Sequence, residues 1–442
     1  MADNPQSYRG DCLRAVKYLT DDAVPGNARA HELPYDAAMR ALIIHQNFPG
    51  QFVHVARALA DDPQNEVVAI GDARTLSKRP AVHPKIRVLA YDAPEGGSAS
   101  THPYLRDHEG HVRRGQVVLR TLMQLKASGW TPDLILAHPG WGEGLFLKDA
   151  FPDARVLQYF EYYYDSHGGD VSFDPEFPDT LDDFARVRVK NATQLISLMG
   201  SDLGLSPTQW QKSRFPALLQ ERLRVVHEGV DTERVKPDPQ AWVKVGGHRF
   251  QPGDEVVTFV SRNLEPYRGF HTFMRALPPL QALRPKAHVV IVGGDDVSYG
   301  RRPPAGTTYR QLYCGQLAKS VDWSRVHFTG RLPYQDYLRV MQVSAAHVYL
   351  TVPFVLSWSM LEAMAAGCLV VGSATAPVQE VITHGENGLL TDFFDPQAIA
   401  QTVAQALAEP QPRLREAARR TVVERYDLRS VCLPQWMRLL ET

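Results

Sequence analysis

Reactive chemistry is scarce in this chain. It holds four cysteines, Cys12, Cys314, Cys368 and Cys432, and no two of them share a metal-ligand spacing. A disulfide framework is therefore excluded as the basis of the fold, and a reducing compartment is the natural setting. No apolar run approaches the ~18–20 residues of a membrane span. The opening residues, Met1 to Tyr8, are polar, so no signal peptide is expected and a cytoplasmic protein is. The formal net charge of -1 gives no electrostatic footprint for nucleic acid. No Gly-x-Gly-x-x-Gly follows the first apolar strand; Phe48-Pro-Gly-Gln51 stands there instead. That argues against a dinucleotide-dependent dehydrogenase. No Asp-x-Asp pair stands at a strand end, so no metal ligands are expected.

What is present is the rhythm of an α/β protein. Length suffices for two domains, and a composition 44% hydrophobic and 22% charged is that of a soluble globular chain. Apolar runs such as Met39 to His45, Asp133 to His138, Ala154 to Phe160, Glu255 to Val260 and Ala287 to Gly294 read as buried strands alternating with helical stretches. Gln194 to Leu198 reads as a further strand, and Tyr104 to Ser128 as a long basic helix. The basic run serves either as a solvated face or as a contact for an acceptor or anionic lipid. Residues 1–38 show no such rhythm and read as an N-terminal extension. Pro237-Asp-Pro239 marks a linker.

The stretch Pro353 to Gly367 organises the rest. Ser357 is an N-cap candidate, Met360 to Ala366 are mostly helix formers, and Gly367 is a left-handed terminator. The helix is apolar all round except for Glu362, and a buried carboxylate needs a polar partner. That partner is either solvent or a pair of ligand hydroxyls. The helix start offers N–H groups and a positive dipole end suited to phosphate. Arg262 and Arg268 share one strand-to-helix loop and can grip a diphosphate, unless Glu265 pairs with them. His138 ends a strand, where open parallel sheets bind ligands, or it is structural. Glu161 and Tyr162 end the next strand. An acid beside aromatic rings suits a carbohydrate or a tyrosine-rich domain interface. Gly50 turns the first strand into its helix.

Ser359-Met-Leu-Glu-Ala-Met-Ala-Ala-Gly367 and the apolar strand after it resemble the signature of retaining glycosyltransferases of the two-domain GT-B fold, family 4. The resemblance covers residues 39–442 and is most specific over 255–390. It implies two Rossmann-like domains facing across a cleft. An acceptor domain spans 39–236, with the C-terminal helix 427–442 packing back on it, and a nucleotide-sugar donor domain spans 237–426. It further implies that Glu362 holds the ribose and that Arg262 and Arg268 hold the diphosphate. His138 would touch the sugar, Gly50 and Gly293 would lie near the donor, and the backbone at Leu332 would read the base. A second glutamate usual in the family is replaced by Phe354, which leaves the sugar to backbone N–H groups from Phe354 to Ser357, or to Ser357 itself.

The expected activity is metal-independent transfer of a sugar, without a cofactor. The donor is UDP-, GDP- or ADP-linked, and the acceptor a glycan, lipid-linked or small molecule. Peripheral contact with the inner membrane face is an open possibility. Two other readings stay open on the sequence: a nucleotide-sugar epimerase on the same fold, and a non-catalytic nucleotide-sugar-binding scaffold.

Overall fold

The computed structural model describes residues 38–441, so the proposed extension lies outside the described residues apart from Ala38. The first domain holds seven strands: β1 (Arg40–Ile44), β2 (Glu66–Asp72), β3 (Arg87–Tyr91), β4 (Leu134–Ala137), β5 (Arg155–Tyr159), β6 (Leu203–Ser206) and β7 (Leu223–Val225). They form one parallel sheet in the order β3-β2-β1-β4-β5-β6-β7. A hairpin, β8 (Val243–Val245) with β9 (His248–Phe250), follows the linker. The second sheet is also parallel. Its strands are β10 (Val256–Asn263), β11 (His288–Gly294), β12 (Val326–Gly330), β13 (Ala346–Tyr349), β14 (Leu369–Ser373) and β15 (Leu389–Thr391), ordered β12-β11-β10-β13-β14-β15. Two parallel-sheet α/β domains are thus present.

The central strands are apolar runs because helices cover both of their faces, whereas the edge strand β3 is largely exposed. Ile43, Leu136 and Leu157 pack into one cluster of the first domain, and Leu42, Ile135 and Val156 into the cluster on the opposite face. In the second domain Phe259, Ile291 and Val348 face one cluster, while Tyr349 and Val370 face another built on Met360 and Met364.

In both sheets the strand order reverses beside the first strand, between β1 and β4 and between β10 and β13. Crevices at the carboxyl ends of such strands are where open α/β sheets bind ligands.

One expected strand is a helix. Gln194 to Leu198 lies inside the helix Leu181–Met199. Thr180 and Asp183 form a reciprocal capping box at its start, and the helix propagates from that cap to Gly200 without a breaker. At helical spacing the run is split between faces, with Gln194, Ser197 and Leu198 inward and Ile196 exposed.

The chain crosses between the domains twice. Near 226–242 it leaves the first domain. Near 426–433 it returns, and the helix Leu433–Glu441 lies on the first domain. There Trp436 packs with Phe52 and Tyr159, and Arg155 donates to the Leu439 and Leu440 carbonyls (2.9 Å each). The two crossings are hydrogen-bonded together. Val230 N–H donates to the Tyr426 carbonyl (2.8 Å), and Leu428 N–H to the Val230 carbonyl (2.9 Å). Gly229 (φ +88°) permits the approach, since a Cβ there would meet Leu428 Cα at 2.8 Å.

Candidate functional site

The two reversal points face each other across a cleft with a cavity of ≈ 480 Å³. From the first domain His45, Gly50, Gln51, Arg79, Trp141 and Glu161 line it. From the second come Ser261, Arg262, Glu265, Arg268, Tyr349 and the segment Val355 to Trp358. Five of the residues singled out from the sequence therefore share one cavity: Gly50, Glu161, Arg262, Arg268 and Ser357. Glu362 lines an adjoining cavity of ≈ 650 Å³ with Tyr334 and Arg234. Gln51, Val53 and Trp358 border both cavities.

The two arginines differ. Arg268 is buried. Its Nη1 donates to Thr351 Oγ1 (2.8 Å), to the Val355 carbonyl (2.9 Å) and toward the Tyr349 hydroxyl (3.4 Å). Arg262 is exposed in the cleft and makes no ion pair among the described residues. Glu265 pairs with neither. Its carboxylate accepts the N–H groups of Ser298 and Tyr299 (2.9–3.2 Å). Burial pushes its pKa up to about 7, against the pull of those N–H groups and of the nearby guanidiniums.

Ser357 caps the helix Trp358–Ala365, its Oγ accepting from Ser359 N–H (3.4 Å). Its own N–H is taken by the Tyr349 hydroxyl (2.7 Å), so that group is not free for a sugar. Glu362 is held by the hydroxyls of Tyr334 (2.6 Å) and Tyr337 (2.7 Å). Burial raises its pKa, and the two tyrosine hydrogen bonds only partly offset that. The polar partner required by the sequence is therefore a tyrosine pair, with further acceptor sites left on the carboxylate.

On the first domain a chain of side chains fixes Glu161. Asn47 N–H donates to His45 Nδ1 (2.8 Å), which leaves the ring proton on Nε2, 2.7 Å from Gln51 Oε1. The Gln51 amide then donates to Glu161 Oε1. On the other side Gly140 N–H donates to His138 Nδ1 (3.1 Å), which turns Nε2 toward Glu161 Oε2 at 3.2 Å. Burial drives the Glu161 pKa up, but His138 and Gln51 more than offset this and hold it below its ordinary value. Burial and the neighbouring His138 depress His45 to about 3, so its ring is neutral. Gly50 is required by its φ of +50° and by His45, whose Nε2 would lie 2.3 Å from any Cβ.

Several expected contacts lie elsewhere. His138 is buried (3% exposed) beneath Trp141 and meets the cleft through Glu161. Tyr162 and Phe354 are also buried and line neither cavity. They form an interdomain aromatic cluster with Tyr267 and Tyr299, ring centroids 4.7–5.1 Å from Phe354. The Tyr162 hydroxyl is within reach of Asp170 Oδ1 (2.9 Å) and the Pro353 carbonyl (3.1 Å). Of the two readings of these rings, the interface is the one realised, because apolar faces gain more from burial between domains than at a wet cleft. Gly293 serves packing: a Cβ would meet Ser261 O at 2.8 Å. The Leu332 side chain packs on two core clusters, while Tyr334, two residues on, faces the cavity.

Sequence reading missed Gln51, Trp141, Arg79, Tyr334 and Tyr349. Gln51 follows Gly50, and Trp141 stands between Gly140 and Gly142 just after the strand-end His138; those glycine turns were the available signal.

Two parallel-sheet domains with a cleft between their reversal points are the arrangement of the GT-B fold. Residues 63–235 match the Glycosyl transferase family 4 group and residues 245–421 match Glycosyl transferases group 1. Both halves of the chain thus match glycosyltransferase family models, which supports a GT-B glycosyltransferase of the group 1 type. A curated relative, the GDP-mannose-dependent alpha-(1-6)-phosphatidylinositol monomannoside mannosyltransferase of Mycolicibacterium smegmatis, is 29% identical over 46% of this chain and 52% of its own length. A D-inositol 3-phosphate glycosyltransferase of Mycolicibacterium vanbaalenii is 31% identical over 45% of this chain and 43% of its own. The chain spans about half the length of the curated relatives it matches. Among solved structures, Anabaena HepE in complex with UDP and glucose superposes with TM-score 0.63 at 17% identity, covering 91% of this chain and 99% of that one. Sucrose-phosphate synthase from Thermosynechococcus elongatus superposes with TM-score 0.67 at 18% identity, covering 91% and 98%. These two share the fold. Among the described residues no helix is long and apolar enough to cross a membrane.

Proposed function

We propose that this protein transfers a glycosyl group from a nucleoside diphosphate sugar to an acceptor hydroxyl, with retained configuration and without a metal. The observation that carries this is the convergence of Arg262, Arg268 and the helix start at Ser357 on one wall of a cleft whose other wall presents Glu161. Breaking the glycosidic bond leaves charge on a diphosphate. Two guanidiniums and a helix N-terminus aimed at that charge lower the barrier electrostatically, which supports the reading of metal independence. The nucleoside extends past Trp358 into the adjoining cavity, where Glu362 accepts the ribose hydroxyls on the lone pairs its tyrosines leave open. Glu161, held ionised, accepts a hydrogen bond from the acceptor and fixes its attack. His138 positions Glu161 and does not meet the sugar. Retention rests on the family: same-face attack, with the leaving phosphate oxygen taking the acceptor's proton.

The names of the relatives guide the choice of substrates. GDP-mannose and UDP-glucose are the first donors to test, and phosphatidylinositol mannosides and inositol phosphate the first acceptors. Arg268→Ala and Glu362→Ala are each expected to lower kcat/KM more than tenfold with the fold retained. Unchanged kinetics in both variants would remove the proposed donor site. Incubation with donor alone separates transfer from epimerisation, since an epimerase alters the sugar and a transferase at most releases it slowly. Nucleotide-sugar binding without turnover on any acceptor would leave the scaffold reading.

A further inference from the structure

Three histidines meet at the end of the second sheet opposite the cleft. His248 comes from β9, His288 is the first residue of β11, and His327 is the second of β12. One nitrogen of each ring lies within 4.8 Å of the other two. His288 Nδ1 and His327 Nε2 are 3.0 Å apart and their rings stack at 9°, while the His248 ring centroid is 4.7 Å from that of His288. The hairpin is shaped around them. Gly246 turns with φ +57°, and a Cβ there would lie 2.2 Å from His327 Nδ1.

We propose that this cluster is a binding site for a borderline divalent transition metal, with Zn²⁺ as its natural occupant. Packing alone does not explain it, because the apolar cluster of Phe250, Val290 and Val292 lies just beneath, and an apolar side chain would continue that cluster without polar cost. Imidazole nitrogens suit Zn²⁺, Ni²⁺ and Cu²⁺, whereas Mg²⁺ and Ca²⁺ require oxygen. Two nitrogens on a tetrahedral zinc sit about 3.3–3.4 Å apart, so the 3.0 Å contact must open by a few tenths of an ångström. The proton now shared there can move to the outer nitrogen of either ring. His327 is buried, His288 half-buried and His248 exposed, which leaves an entry path and a fourth position for water. The bound ion clips the hairpin that opens the second domain to its sheet, away from the chemistry.

The test uses the full-length, tag-free chain stripped with a chelator and titrated with ZnCl₂ in a calorimeter, with metal content measured after desalting. One zinc per chain is expected, with no response to Mg²⁺. His248→Ala and His288→Gln should each weaken binding about tenfold or more, while nucleotide-sugar binding stays at the wild-type level. If His288→Gln does not fold, His248→Ala, which alters an exposed ring, decides alone. Absence of saturable zinc binding, or equal affinity in wild type and variants, overturns the site.

Discussion

Across the cleft the first domain presents a carboxylate, Glu161, and the second presents two guanidiniums, Arg262 and Arg268. Both walls stand at a strand-order reversal, yet they fix their charges differently. Glu161 is held by side chains alone, through Gln51 and His138, each of them anchored near its own strand end. Arg268 is held by a backbone carbonyl and two hydroxyls, while Arg262 is left loose. The second domain's wall thus pairs one rigid cation with one that is free to move. The first domain's wall holds its carboxylate in a single orientation. Rigid groups stabilise a fixed charge best, and a mobile cation accommodates the approach of an anion before closure.

That contrast can be broken at four points. The largest effect is expected at Glu161→Gln. It keeps the shape but removes the charge, so kcat should fall about 10²-fold while affinity for the nucleotide sugar stays constant. A loss of donor affinity instead would place Glu161 on the wrong side of the comparison. Arg262→Ala comes next. Donor KM should rise about tenfold with an unchanged melting temperature, because the side chain is exposed; a destabilised variant would show that Arg262 is not loose.

Glu265 gives a smaller, pH-dependent effect. Its pKa is raised to about 7, so it is neutral below that pH and ionises beside the arginines as pH climbs through it. Repulsion between two anions then weakens binding of a nucleotide sugar by a few-fold between about pH 6 and pH 8. Glu265→Gln should flatten the slope in calorimetry, and an identical slope in the variant would exclude this carboxyl as its source. The smallest effect is Tyr162→Phe at the domain interface. Loss of its hydroxyl contacts to Asp170 and Pro353 should cost about 1–2 kcal/mol of stability, read by denaturant titration, with kcat unchanged.

These points also mark what the sequence could disclose. The strands were legible because burial on both faces makes them continuous apolar runs. Arg262, Arg268 and Ser357 were legible because loop position after a parallel strand places a side chain at the crevice whatever its partners are. Partners were not. Gln51 meets Glu161 across 110 residues of chain, and nothing local to either predicts it. Phe354 and Tyr162 stand at positions that suit a ligand, and only the packing of one domain against the other decided that their rings face protein. His138 fell between these cases, correct in its strand-end position and one side chain short of the cavity. The run Gln194 to Leu198 misled because a few apolar residues fit a helix as well as a strand, and the cap that decided it lies fourteen residues upstream, at Thr180.

The paired crossings near Val230 and Leu428 govern how the two lobes can travel. A single tether would allow them to swivel and drift freely. Two adjacent tethers laced to one another suppress that swivel and leave bending about one line as the low-energy motion. Were the lobes to open about that line, they would close with Arg262 and Arg268 again opposite Glu161.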